Sequence, residues 1–102
     1  MKEFKHPTQD ASYSLPERLT VRYMLRFDAV LEASFAKASQ LSIYERLWPV
    51  VVATAQDWKC DALELDEAML DADLPREAVD VLKWACLTTF EHLNAAREVP
   101  KN

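Results

Sequence analysis

The chain has 102 residues, half of them apolar, with 12 basic and 17 acidic side chains and a net charge of −5. That is enough for one small domain with a modest core. The acidic balance argues against a non-specific nucleic-acid binder and against docking on anionic lipid, and no apolar run is long enough to span a bilayer.

Glycine is absent, where average usage would supply roughly seven. Without it there are no Gly-rich phosphate loops, and hairpin turns are poorly supplied. The expected fold is therefore all-α: a small bundle of three main helices plus a short helix, preceded by an extended arm. Residues 1–19 read as a flexible N-terminal arm and 20–102 as a single helical domain. The arm is polar, carries Pro7 and Pro16 and shows no sustained period, although a short extended piece near Tyr13 to Leu15 can lie on the body. No apolar segment follows its basic start, so it does not read as a secretory signal.

Thr20 is placed to cap a first helix reaching about Lys37. Met24, Phe27, Leu31 and Phe35 recur three and four residues apart and share one face, which Val21 and Leu25 widen. Arg18, Arg22 and Arg26 line another side, as a solvated flank or as a basic strip for an acidic partner. Ser42-Ile43-Tyr44-Glu45 has the form of a capping box. It opens a second helix expected to run from Ile43 to about Lys59, with Tyr44, Leu47, Val51, Ala55 and Trp58 as its stripe and a kink at Pro49. Its apolar surface is nearly continuous, which suits the centre of the domain. From Asp57 to Asp73 seven acids stand against Lys59 alone. Asp66 is placed to cap a short helix over Glu67 to Leu70, and Asp73 to cap a last helix from Leu74 to about Arg97. That helix has Val79, Leu82, Cys86, Phe90 and Leu93 as its stripe, with Val81 and Trp84 beside it.

Candidate chemistry is sparse. His6 and His92 each lack a second histidine a turn away, Cys60 and Cys86 have no metal or redox spacing, and the acidic stretch lacks the alternation and glycine of a calcium loop. The cysteines read as reduced, semi-buried thiols. Asp57 and Asp61, one turn apart beside Trp58 if helical, are the carboxylate pair to inspect. His92 shares its helix with Thr88 and Thr89, but no third catalytic member is evident. No enzyme, cofactor or metal is expected. Recognition through apolar surface has the best case. Trp48, Trp58, Trp84, Tyr13, Tyr23 and Tyr44 are a generous aromatic load, divided between a core and a groove that accepts a partner helix.

Four pieces of the chain resemble the small helical tail assembly chaperones of long-tailed bacteriophages. They are Leu15-Pro16 followed by Leu19-Thr20-Val21-Arg22, Tyr44-Glu45-Arg46-Leu47-Trp48, Asp57-Trp58-Lys59-Cys60, and Lys83-Trp84-Ala85 leading to Val99-Pro100-Lys101-Asn102. The resemblance implies a non-enzymatic chaperone that coats the helix-rich tape measure protein before the tail tube forms, and that recruits tail tube subunits. It implies self-association, action in the host cytoplasm and absence from the mature virion. It also implies a longer form made by frameshifting, for which Pro100-Lys101-Asn102 can be encoded by a slippery A-AAA-AAC. Pro49 departs from what a central helix would carry. The contact surface expected on this reading is Trp48, Val52, Val81 and Trp84, with Arg22 and Arg26 at its rim. Two rivals are a structural head–tail connector component and a small acidic regulatory or antitoxin-like protein that neutralises a basic partner.

Overall fold

The computed structural model describes residues 1–18, 20–37 and 43–97. The order is β1 (Lys2–Lys5), β2 (Ala11–Leu15), α1 (Val21–Lys37), α2 (Ile43–Thr54), β3 (Gln56–Cys60), a 3-10 turn (Glu67–Asp71) and α3 (Arg76–Arg97). The protein is thus mixed α/β, with three helices and a three-stranded antiparallel sheet of order β1-β2-β3 among the described residues, and the all-α expectation is corrected.

The segment read as an arm contains two of the three strands. β1 and β2 form a hairpin in which Lys2 faces Leu15 and Lys5 faces Ser12. Its connection needs no glycine, because a side chain does the work. His6 Nδ1 accepts the amide hydrogens of Thr8 and Gln9, each at 3.1 Å, and the His6 amide donates to the Ala11 carbonyl at 2.9 Å. The turn's donors are satisfied by an imidazole instead of by left-handed backbone.

The second helix stops at Thr54 rather than near Lys59, and Gln56–Cys60 joins the sheet, with Ala11 opposite Cys60 and Ser14 opposite Gln56. The Thr54 hydroxyl donates to the Val50 carbonyl at 2.7 Å in the last turn. Asp57 then takes a positive φ of 53°, a left-handed conformation in which Asp is tolerated and glycine is usual. The helix cannot continue through it, and the β2 register slips between Ser12 and Ser14 opposite this point. Pro49 lies inside α2, which runs through it.

Local signals place the other boundaries. The Thr20 hydroxyl accepts from the Tyr23 amide at 3.3 Å and opens α1. Asp66 caps the 3-10 turn through the Ala68 amide at 2.9 Å. α3 begins at Arg76, two residues later than expected, and the Pro75 carbonyl accepts its first amide hydrogen bonds, from Ala78 and Val79. The capping box at Ser42 lies outside the described residues.

The main core is a layer between sheet and helices. Tyr13 and Leu15 of β2 meet Leu47, Trp48 and Val51 of α2, Leu63 of the following loop, and Ala78, Val81, Ala85 and Cys86 of α3. Burying each Leu or Val side chain of this layer stabilises the fold by about 1.5–3 kcal/mol. A smaller cluster of Phe27, Val50 and Leu93 attaches α1 near the C-terminal end of α3.

Candidate functional site

Aromatic rings form the centre of the molecule. Tyr13 lies 5.4 Å from Trp58 and 5.3 Å from Trp84, and Trp48 lies 5.9 Å from Trp58, ring centre to ring centre. Each buried polar atom of this group is paired, as burial demands. Trp48 Nε1 donates to the Asp66 carbonyl and Trp58 Nε1 to the Leu63 carbonyl, both at 2.8 Å. The Tyr13 hydroxyl has one hydrogen, which goes to the Ala85 carbonyl at 3.0 Å, so the Thr89 hydroxyl donates to it at 2.7 Å. Burial raises the Tyr13 phenol well above the ordinary tyrosine range, with the Thr89 bond opposing the rise. Burial likewise pushes the Cys86 thiol up to about 12, where it is a poor nucleophile at neutral pH.

This geometry decides the fate of the expected contact residues. Trp48 and Val81 are wholly enclosed, at 0% exposure, and serve the core; the expectation that they form surface is corrected. Trp84 and Val52 are half-buried, Trp84 with its ring edge against His6 at 5.1 Å. Arg22 and Arg26 are exposed on α1. Trp58 reaches the core from a strand, not from a helix face.

The candidate catalytic groups do not converge. Asp57 and Asp61 are exposed at either end of β3. His92 Nε2 donates to the Pro16 carbonyl, and its ring stands against Phe4 at 5.4 Å, so it fastens the hairpin to α3. Thr89 is committed to Tyr13. Cys60 is half-buried and Cys86 buried, and both are free thiols. His6 holds the hairpin turn, with Nε2 3.5 Å from Asp80 Oδ2 on α3. Among the described residues no group of three or more potential ligands is placed to hold a metal ion.

What the surface does offer is apolar. Val79 and Leu87 on α3 are 37% and 41% exposed. They stand two turns apart on one face, with Lys83 between them. The Lys83 ammonium sits 5.5 Å from the Tyr44 ring centre, so the start of α2, where Ile43 is also exposed, borders this face. On α1, Val21 and Leu25 are 73% and 64% exposed, flanked by exposed Arg22 and Arg26. Val79 was expected in the buried stripe, and Val21 and Leu25 at the margin of one. The available signal was angular. At 100° per residue Val21 and Leu25 point well away from Phe27, and Leu87 lies about 100–140° from Leu82, Cys86 and Leu93, but Val79 falls about 20° from Cys86, so for Val79 the period carried no such signal.

Comparison with protein-family models matched no family, and comparisons with curated proteins and with solved structures found no match.

Proposed function

We propose that this protein is a non-enzymatic assembly chaperone of long-tailed phage tails, which binds the tape measure protein in the host cytoplasm and is left out of the finished virion. The observation that carries the reading is the exposed aliphatic face of α3, Val79 and Leu87 with Tyr44 and Ile43 beside it, on a body of net charge −5. Helix-length spacing suits it to an apolar stripe on a partner helix, whose i, i+3, i+4 and i+7 residues would cover it. The ordered sequence likeness to tail assembly chaperones supplies the client. A long amphipathic helix without a partner aggregates, and a coat of small acidic proteins covers its stripe while like charges keep neighbouring assemblies apart.

Co-expression with a tape measure protein of a long-tailed phage tests this. The client is expected to be soluble with the native chain and insoluble with V79D/L87D, a pair of exposed substitutions whose fold is checked by near-ultraviolet circular dichroism. A client that stays insoluble with the native chain, or soluble with the variant, overturns the reading. The acidic regulatory alternative draws on the exposed carboxylates of residues 57–73. It requires partner binding that collapses with added salt, whereas apolar docking tolerates salt.

A further inference from the structure

We propose that His6 is a proton-operated latch: protonation of its ring opens the turn between β1 and β2 and lifts that turn from α3. The device lies in the hairpin and works whether or not the α3 face holds a client.

The direction of the hydrogen bonds at Nδ1 carries it. The amides of Thr8 and Gln9 both donate to this nitrogen at 3.1 Å, and a backbone N–H can only donate. Nδ1 therefore presents a lone pair, and the single ring hydrogen of the neutral imidazole is on Nε2, which stands 3.5 Å from Asp80 Oδ2. A second proton has one place to go, Nδ1. There it sets an N–H against two N–H groups and removes the acceptor that closes the turn. The Thr8 hydroxyl, 3.5 Å from Nδ1, can turn a lone pair toward a protonated ring, but the two amides cannot. The His6 side chain is only 5% exposed, so its charge gains water only when the turn opens.

The same turn is what fastens this corner to α3. The Gln9 side-chain amide donates to Asp80 Oδ2 at 3.2 Å, the carboxylate that His6 faces, and the His6 ring stands edge-on to Trp84 at 5.1 Å. Opening uncovers that side of the indole. Phe4 remains packed on Tyr13 and His92, which holds β1 in place and confines the change to residues 6–10.

The surrounding charges do not override this pattern. Asp80 favours the cation, but its side chain is 60% exposed and already accepts from Gln9, so water weakens its pull. Glu3 and Lys5 of β1, Asp10 of the turn and Lys59 of β3 border the ring, and Arg76, Glu77 and Lys83 flank Asp80 on α3. With Asp80 these are as many acids as bases, and their fields largely cancel. The closed turn has no site for the second proton and the open turn has one, so acid draws the equilibrium toward the open form.

Nitrogen-15 NMR of the whole chain between about pH 8 and pH 5, the range in which histidine changes charge, tests the proposal. At the alkaline end the His6 ring is expected as its Nε2–H tautomer. On acidification the Thr8 and Gln9 amides are expected to lose at least about tenfold in exchange protection, in step with the ring, while amides of β2 and α3 keep theirs. His6→Asn offers a side-chain oxygen that does not titrate in this range, and its two turn amides are expected to respond equally at both ends of it. His92→Gln, which keeps an N–H for the Pro16 carbonyl, is expected to leave the transition where it is. A ring hydrogen on Nδ1 at the alkaline end, native turn amides indifferent to acid, or core amides released together with the turn overturns the proposal. So does a native-like acid response in H6N, or its loss in H92Q.

Discussion

The layer between the hairpin, α2 and α3 encloses Leu15, Trp48, Val51, Val81 and Cys86 completely, while Phe27 is the one buried side chain among those described on α1. Both regions are built from amphipathic segments of similar apolar content, so the difference is not one of composition. It is one of how many partners surround each element. β2 is the central strand of the sheet, with Tyr13 bonded to α3 and ringed by Trp58 and Trp84. α1 meets the body on one side and leaves Val21 and Leu25 facing outward. A small domain closes one core well and attaches its remaining helix through a minor cluster, and the area left over is where binding has a physical basis.

Breaking the closed layer should cost most. Trp48→Ala removes a fully enclosed indole and one of the two hydrogen bonds to the Asp66 carbonyl, the Met69 amide keeping the other. A loss of about 3–5 kcal/mol is expected, enough to unfold a marginal domain, and a denaturant melt followed by circular dichroism reads it. Phe27→Ala should cost about 3 kcal/mol or less, with a different signature. Hydrogen exchange is expected to rise through Val21–Lys37 while β2 and α3 stay protected, which a shared core would not permit.

Alkaline titration sharpens the same contrast. Cys86 rises from an ordinary 9.0 to about 12 on burial, and Tyr13 is raised above its ordinary 10.0. Both groups are neutral when protonated, and above its ordinary value each binds more protons folded than unfolded. Their stabilising effect is therefore complete below about pH 9 and is lost as pH climbs toward the folded values, by roughly 1.4 kcal/mol per pH unit per group. Melts between pH 8 and 11 read the slope, and Cys86→Ala should delay its onset to the tyrosine range. The smallest effect is expected for Leu25→Asn on the outer face of α1, within about 0.5 kcal/mol of the native stability. A large loss there would mean that this face is covered within the monomer.

Much of the helical part was legible because its signals are local. Thr20 and Asp66 cap elements whose amides lie within three residues of them. Leu82, Cys86 and Leu93 share a face by periodicity alone. The strands were not legible in that way. Ala11 pairs with Cys60 across 49 residues, and the hairpin is closed by the His6 imidazole, a device with no propensity signature. Trp58 misled the reading in a particular manner. It falls on the helical stripe begun at Tyr44, but Asp57 turns the backbone through a left-handed conformation, and the indole reaches the same core from β3.

The amino-acid sequence by itself determined the helices, the capped 3-10 turn and the acidic segment, because each depends on residues close together along the chain. Only the tertiary structure decided that a sheet exists and that Trp48 and Val81 are enclosed while Val21, Leu25 and Leu87 are exposed. The physical reason is that a helix period names a face but not its neighbour, and burial is set by what a distant part of the chain brings against that face.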